Sequence, residues 1–146
     1  MSMELFHRNM AFTLYHADQM PLMTMAEPTV ERIAGNLHRV RVDVRNERLI
    51  PTITERARRN RVVRPDLVTV SGNGIEVVAA GWVPDVNRPG PTQRIDQNDL
   101  NRIIVASGHP GRTTRTIEYV VRGSGPMTIR YSALKGGTVE RQVRLP

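Results

Sequence analysis

Apolar and charged residues alternate along Leu37–Asn46, and this alternation constrains the fold more than any other feature of the sequence. Val40, Val42 and Val44 share one phase, and arginine or aspartate stands between them. A period of two places the valines on one side of an extended chain and the charged residues on the other. The sequence therefore predicts a strand with one buried face and one solvated face.

The residues after this strand predict a short polar helix and then a return to a sheet. Pro51 ends the extended run, and Thr52 with Glu55 three positions later has the spacing of a helix-capping box. We expect a helical turn over Ile53–Asn60 and a new strand after Pro65.

Further segments have strand character and are separated by turn residues. A hairpin is predicted for Asp66–Ser71 and Ile75–Ala80, because the Asn-Gly pair of the Gly72-Asn73-Gly74 turn tolerates the positive φ angles of a tight turn. The other predicted strands are Thr29–Ile33, Arg102–Ser107 and three alternating series, which are Ile117/Tyr119/Val121, Met127/Ile129/Tyr131/Ala133 and Val139/Val143/Leu145.

Turns and loops are predicted at the glycine-rich and proline-rich positions between these strands. The turns are Gly35-Asn36, Gly108–Gly111, Gly123–Pro126 and Lys135–Gly137. Gly81–Asn98, with three prolines and no period, is predicted to be a long loop. Trp82 at its start either seals the edge of the core or lies in a binding surface, and we favour the seal because the only tryptophan of a small β domain is usually in or near its core.

The order of these elements predicts a mainly β fold. A chain of 146 residues has the size of one domain. About seven to eight strands with no long helices between them predict an antiparallel sandwich of the immunoglobulin or fibronectin type. The sequence contains no cysteine, so a disulfide, a thiolate metal site and a thiol nucleophile are excluded, and so is the Cys-Trp-Cys arrangement of antibody domains.

An N-terminal helix is predicted in front of the sandwich. Apolar residues recur there at spacings of three and four, and Pro21 ends the pattern. They are Met3, Phe6, Met10, Leu14 and Ala17. This helix packs either on the sheet of its own domain or on a neighbouring domain. Pro21–Pro28 is predicted to be an extended connector, so that residues 1–27 form the helix and connector and residues 28–146 form the β-sandwich.

The net charge of +7 comes from twenty arginines and one lysine, Lys135. Arginine suits phosphate and carboxylate contacts, so nucleic acid or an acidic surface has to be considered as a partner. The densest basic run is Arg56, Arg58, Arg59, Arg61 and Arg64. A solvated strand face rich in arginine explains the same composition, and we favour that interpretation.

No residue is assigned a catalytic, cofactor-binding or metal-binding role, and no cofactor is expected. The four histidines, His7, His16, His38 and His109, lack local zinc-site spacing. Asp96 and Asp99 lie in a polar stretch without the glycine turn and bidentate glutamate of a calcium loop, so we expect solvated carboxylates. Three tyrosines, two phenylalanines and one tryptophan offer few platforms for base stacking.

Several short motifs occur in the same order as in a known protein family. They are Val40–Asn46, Leu49–Thr52, Thr54–Ala57, Val63–Asp66, Gly108–Arg112, Ile117–Gly123 and Lys135–Val139. Together they resemble the β domain that follows the catalytic domain in many bacterial zinc carboxypeptidases of the carboxypeptidase A type. The resemblance covers Thr29 to Leu145, and His7–Pro21 resembles the end of the catalytic domain, its last helix leading into the β domain.

The resemblance implies an accessory β-sandwich without enzymatic activity of its own. The family holds its zinc with a His-x-x-Glu pair and a distant histidine and uses a later glutamate as general base, and no position in this sequence matches them. The implied partner is the catalytic domain of a parent peptidase, with a peptide or cell-wall glycan ligand as a further option. Weak self-association through the N-terminal helix is left open.

Three hypotheses about function follow. The first is a non-catalytic structural or interaction module; the alternatives are a basic domain that binds nucleic acid or another polyanion, and a small independent enzyme. Arginines spread over the strands favour the first hypothesis over the second, and a contiguous basic patch would reverse this preference. Residues 1–21 contain no apolar run long enough for a signal peptide or a membrane span, so we expect a soluble chain and no membrane partner. The compartment stays open, with an exported parent, periplasmic or extracellular, as one option.

Overall fold

The computed structural model describes Met10 and residues 20–60, 64–84 and 90–146, and the regular structure in these ranges is almost entirely β-strand. The strands are β1 (Met23–Met25), β2 (Thr29–Ala34), β3 (Leu37–Asn46), β4 (Asp66–Ser71), β5 (Glu76–Val83), β6 (Gln93–Arg94), β7 (Arg102–Val105), β8 (Thr114–Arg122), β9 (Gly125–Ala133) and β10 (Gly137–Leu145). The helix α1 spans Glu55–Asn60.

The predicted N-terminal helix, Met3–Met20, lies outside the described residues except for Met10 and Met20. The surface on which this helix packs therefore stays a prediction. Within the described ranges, no helix has the length and apolar character needed to cross a membrane.

Two antiparallel sheets face each other and form a β-sandwich. The first sheet has the order β1-β3-β8-β5-β6, and β2 also pairs with β3. The second sheet has the order β10-β9-β4-β7. This bears out the prediction of a mainly β, antiparallel sandwich.

The core lies between the inward faces of the two sheets. In β3, Val40, Val42 and Val44 are 0%, 1% and 0% exposed, and the bounds of the strand are those predicted from its alternation. The alternating residues of β8 and β9 are buried in the same way. They are Ile117, Tyr119 and Val121 in β8, and Met127, Ile129, Tyr131 and Ala133 in β9. Alternation alone was enough to assign these inward faces.

The predicted hairpin between β4 and β5 is wrong. Both strands occur where the sequence placed them, but β4 belongs to the second sheet and pairs with β7 and β9, whereas β5 belongs to the first sheet and pairs with β8. The Asn73-Gly74 turn therefore carries the chain across the sandwich. A turn signal shows that the chain reverses, but it does not show which strand the chain then pairs with. The turn predicted at Lys135–Gly137 is present, and it joins β9 and β10, which pair directly.

The predicted capping box at Thr52 and Glu55 is also wrong. Helix α1 begins at Glu55, and its cap is Thr54, whose Oγ1 accepts a hydrogen bond of 3.2 Å from the backbone N–H of Ala57. Thr52 is buried, and its side chain makes other hydrogen bonds, which are described below. Glu55 instead makes ion pairs with Arg58 and Arg59 at 2.7 and 3.0 Å.

The long loop predicted from Gly81 contains more structure than expected. Strand β5 continues to Val83, and Gly81 and Trp82 pair with β6. Trp82 lies opposite Ile117, packs against the core and has the Arg115 guanidinium carbon 4.0 Å from its ring centroid. This is the position expected for a ring that seals the edge of the core.

The described chain has ten strands where about seven to eight were predicted. Each predicted strand is present, and the additional ones are β1 and β6, with three and two residues. Strand β1 lies in the segment predicted to be a connector. Its Met23 and Met25 are 5% and 2% exposed and belong to the core, because β1 pairs with the end of β3.

Candidate interaction surface

A buried hydrogen-bond network of four residues, three joined through side chains and His109 through its backbone N–H, ties together the end of the sandwich at which β3 and β9 end and β4 and β8 begin. Asp66 Oδ2 accepts hydrogen bonds of 2.6 Å from both the Thr52 hydroxyl and the Tyr131 hydroxyl. Thr52 Oγ1 in turn accepts a hydrogen bond of 2.7 Å from the backbone N–H of His109. The four residues come from β4, β9, the β3–β4 connection and the β7–β8 connection, so the network joins elements distant in sequence.

Backbone contacts hold the two connections against each other. The Thr52 N–H donates to the His109 carbonyl at 3.0 Å, and His109 Nε2 lies 2.5 Å from the Thr113 carbonyl oxygen. Gly108 has φ +68°, and a Cβ there would lie 2.6 Å from Thr52 Oγ1. A glycine is required at this position because both the conformation and the space exclude a side chain.

Burial favours the uncharged forms of the ionisable side chains in the network. It raises the pKa of Asp66, although the hydrogen bonds from Thr52 and Tyr131 oppose this shift. Burial also raises the pKa of Tyr131 and lowers that of His109. The side chains are at most 2% exposed, so the network is closed to solvent and orders the loops above it.

Asn46 fixes the place where the chain enters the sandwich. Its Oδ1 accepts hydrogen bonds from the backbone N–H groups of Leu22 and Arg48 at 3.2 and 3.1 Å, and its Nδ2 donates to the Ile50 carbonyl at 2.8 Å. The Glu47 N–H also donates to the Leu22 carbonyl at 2.9 Å. The incoming segment and the 46–50 turn are thus held as one unit.

A second turn packs directly on this unit. The Arg112 N–H donates to the Arg48 carbonyl at 2.8 Å. A Cβ on Gly111 would lie 1.8 Å from the Leu49 carbonyl oxygen, so the two backbones approach as closely as glycine permits. Arg112 itself has φ +48° and is the one non-glycine residue with a positive φ in the described part of the chain.

These turns present apolar and basic side chains to solvent. We call this surface the loop end and define it as residues 20–22, 47–60, 64–66, 106–113 and 134–136. Leu22, Leu49 and Leu134 are 45%, 51% and 55% exposed. Its basic residues outnumber its acidic ones by seven to three, and one of the acids, Asp66, is buried. The basic residues are Arg48, Arg56, Arg58, Arg59, Arg64, Arg112 and Lys135.

Several arginines on the strand faces have a carboxylate partner, as Arg58 and Arg59 of the loop end have in Glu55. Glu118 makes ion pairs with Arg39 and Arg41 at 3.4 and 2.7 Å. Other pairs are Arg45–Glu47, Arg122–Glu76, Arg130–Glu140 and Arg141–Glu27. The loop end thus carries more basic than acidic residues, and the remaining described part of the chain has a smaller excess of its own.

A shallow groove of about 300 Å³ lies beside β1 on the outer face of the first sheet. Glu47 in this groove accepts hydrogen bonds from Thr24 and Arg45 at 2.9 and 3.1 Å, and these bonds lower the pKa of its carboxyl. Arg45 also donates to Thr114 at 3.1 Å. Since these polar groups bind one another, the groove is a weaker candidate than the loop end.

Of the residues weighed as metal or calcium ligands, the structure describes His38, His109, Asp96 and Asp99. His38 is buried on the inward face of β3, and His109 belongs to the network, whereas His7 and His16 lie outside the described residues. Asp96 and Asp99 are both exposed. In the ranges that the structure covers, no group of three or more His, Cys, Asp or Glu side chains could hold a metal ion.

Sequence analysis did not identify the network of Thr52, Asp66, His109 and Tyr131. A signal was present, because three of these residues lie in motifs that carry the family resemblance: Leu49–Thr52, Val63–Asp66 and Gly108–Arg112. The fold brings Thr52, Asp66 and His109 of these motifs together at the loop end. Tyr131 was recognised only as a core residue of β9.

Comparison with known proteins supports a family assignment but no function. A search of curated proteins finds no significant match. Among solved structures, the chain is similar to DesR, a β-glucosidase from Streptomyces venezuelae in complex with D-glucose, at 14% identity and a TM-score of 0.32. The match covers 86% of this chain but 15% of that enzyme, and a likeness this weak supports no conclusion about fold or function. The family described as Domain of unknown function (DUF8731) matches residues 22–144, and the chain belongs to this family.

Proposed function

We propose that this chain is a non-catalytic accessory module that packs against a neighbouring protein domain through its loop end. The observation that carries the proposal is the exposure of Leu22, Leu49 and Leu134 at the end where the chain enters the sandwich. Each is about half exposed, so covering it contributes roughly 1 kcal/mol to association. The buried network beneath holds the loops in place before a partner arrives, which lowers the entropy cost of docking.

The finer fold assignment that fits this role is a sandwich of the immunoglobulin or fibronectin type. In that arrangement the first, second, fifth and fourth strands form one sheet, and the seventh, sixth and third form the other. With β1, β6 and β7 set aside, the orders β2-β3-β8-β5 and β10-β9-β4 follow this rule. Strand β7 would then be an addition beside β4.

The resemblance to domains of zinc carboxypeptidases suggests which neighbour to expect. The module would pack on the catalytic domain of such a peptidase, and His7–Pro21, the segment in front of β1, would belong to the end of that domain. Several of the resembling motifs, among them Leu49–Thr52, Thr54–Ala57 and Gly108–Arg112, lie at the loop end, which supports this proposal, because a contact surface is one reason for such motifs to lie together. A peptide or cell-wall glycan would be a further ligand.

The test uses the protein domain encoded directly upstream of Met1, expressed separately and mixed with residues 20–146. We expect association by sedimentation velocity, weakened by Leu49→Ser and by Leu134→Ser. The matched control is Val78→Ser, which removes an apolar side chain that is 41% exposed on the bulge of β5. An upstream region that encodes no domain, or leucine variants that behave like the control, would count against the proposal.

A polyanion-binding domain is the second candidate, and the excess of basic residues at the loop end favours it. Binding through phosphate or sulfate contacts weakens steeply with salt because counterions are released. Docking through leucines is less sensitive to salt, since apolar burial does not depend on screening. Titrating the association at increasing salt therefore separates the two functions.

A further inference from the structure

Arg112 has a backbone conformation that an arginine seldom adopts. Its φ of +48° lies in the left-handed region, where the Cβ of an L-residue crowds the following carbonyl. Glycine or asparagine would occupy this region with less strain. An exposed arginine at such a position indicates that the side chain has a use that offsets its strain.

The surrounding contacts hold the backbone of Arg112 in this left-handed conformation. Its N–H is bound to the Arg48 carbonyl, the preceding Gly111 is packed on the Leu49 carbonyl, and the Thr113 hydroxyl donates to the Gly111 carbonyl at 2.9 Å. His109 binds the carbonyl of Thr113 from below. The turn is therefore rigid, and the Arg112 side chain leaves it at a fixed place beside Leu49, which is 51% exposed.

We propose that the loop end recognises a protein surface in which carboxylates flank apolar side chains, and that Arg112 binds one of the carboxylates. This inference rests on the function proposed above and specifies the chemistry of the partner. A guanidinium matches a carboxylate with two parallel hydrogen bonds, and the neighbouring leucine supplies the apolar contact. The basic excess of the loop end is complementary to an acidic rim.

The same features argue against two other occupants. A second copy docked through the same end would bring two basic surfaces together, and like charges repel. A nucleic acid or sulfated glycan held through its phosphate or sulfate groups would satisfy the arginines, but those charged groups would give the three leucines no apolar contact.

The test compares two synthetic peptides of equal length and charge, one in which glutamate alternates with leucine and one in which it alternates with serine. Fluorescence anisotropy measures their binding to residues 1–146 and to the Arg112→Gln variant. Arg144→Gln is the matched control, because Arg144 lies near the opposite end of the sandwich and loses the same charge. We expect the leucine peptide to bind more tightly than the serine peptide, and Arg112→Gln to weaken it by roughly tenfold or more, as for loss of a hydrogen bond to a charged group. Arg144→Gln should change it less than twofold.

Two results would overturn the inference. One is an equal effect of Arg112→Gln and Arg144→Gln, which would mean that charge acts diffusely. The other is equal binding of the two peptides together with tighter binding of heparin, which would identify a polyanion site. Arg112→Gly provides an independent measurement: it should raise the Tm by a few degrees while binding weakens, whereas an unchanged or lower Tm would show that the arginine conformation carries no strain. Failure of the docking function would instead appear in the leucine variants with the upstream domain.

Discussion

The Tyr131 hydroxyl donates a hydrogen bond of 2.6 Å to Asp66 Oδ2, 65 positions earlier in the chain, and both residues are fully buried. This bond joins β9 to the first residue of β4. The Thr52 hydroxyl donates a second hydrogen bond to the same oxygen. Because Asp66 is desolvated, each bond to it matters more than a bond at the surface.

Removing the Tyr131 hydroxyl should therefore destabilise the fold. Tyr131→Phe leaves Asp66 Oδ2 with the Thr52 bond alone, and we expect the free energy of unfolding to fall by about 1–3 kcal/mol. Tyr119→Phe is the matched control, because Tyr119 is equally buried and its hydroxyl has no hydrogen-bond partner among the described residues. The control should be neutral or stabilising. Urea unfolding measures both, and equal losses in the two variants would contradict a structural role for the Asp66 bond.

The second prediction concerns pH and His109. Burial lowers the pKa of His109 from its ordinary value of 6.5, so the folded state binds fewer protons than the unfolded state below that pH. Its contribution to stability is fully present above 6.5 and is lost as the pH falls toward the folded pKa. We expect the Tm to decline from about pH 7 to pH 5, and His109→Gln to flatten this decline. Parallel Tm curves for the two proteins would show that His109 does not control this range.

Asp66 should act in the opposite direction. Burial raises its pKa above the ordinary value of 3.8, so the stability linked to its protonation is present below 3.8 and is lost as the pH rises through the folded pKa. Asp66→Asn removes this titration. In thermal scans the stability of the variant relative to the wild type should therefore increase as the pH rises from about 4. A difference between the two proteins that does not change with pH would refute the raised pKa.

At edge strand β7 of the second sheet, the side chain of Gln97 protects the strand backbone. Gln97 Nε2 donates to the Ile104 carbonyl at 3.0 Å, and the Ile104 N–H donates to Gln97 Oε1 at 2.9 Å, so the amide takes the place of a neighbouring strand beside β7. Ile104 is also 49% exposed. Unpaired edge strands with apolar side chains promote association between molecules.

Gln97→Ala should therefore increase self-association. Stability should fall only by about 1 kcal/mol, because water can replace the amide at an exposed edge. Sedimentation velocity over a concentration series measures the association, with Asn98→Ala as the control for loss of an adjacent polar side chain. If both variants stay monomeric at the concentrations where the wild type does, the amide is not needed to protect the edge.

Local patterns predicted the strands well because the alternation of apolar and polar residues within each strand indicates which of its faces is buried. The alternation of Val40, Val42 and Val44 requires only that one side of β3 is dry, and a neighbour need not be known. Partner choice is different. The Asn73-Gly74 turn is compatible with a hairpin and with a crossing between sheets, and the pairing of β5 with β8, about forty residues later, decided the outcome.

The candidate surface was less predictable for the same reason. Thr52 reads locally as a helix cap, and only its contact with Asp66 and His109 across the fold reveals its position. No local pattern predicts the exposed leucines either, since Leu49 and Leu134 lie in turns, where apolar residues do not follow the period of a strand or a helix. Long-range contacts of this kind leave no periodic trace in the chain.

The last prediction tests two connections that cross from one sheet to the other, β4–β5 and β8–β9, at the end opposite the loop end. There Gly123 N–H donates to the Asn36 carbonyl at 2.9 Å, and a Cβ on Gly123 would lie 2.3 Å from the Gly74 carbonyl oxygen. The crossings β4–β5 and β8–β9 thus touch backbone to backbone. Gly125 has a similarly positive φ, +102° against +133° for Gly123, but open space around its Cβ position.

Alanine at the two positions separates backbone strain from contact. Gly125→Ala should lower the free energy of unfolding by about 1 kcal/mol, because only the positive φ is penalised. Gly123→Ala adds a clash with a backbone oxygen that cannot move without shifting the neighbouring crossing, and overpacking of this kind costs a further 1–3 kcal/mol or so. Chemical denaturation of both variants gives the difference. Equal losses would mean that the crossings are not in contact, and the close approach of Gly74 to Gly123 would then have no part in holding the two sheets together.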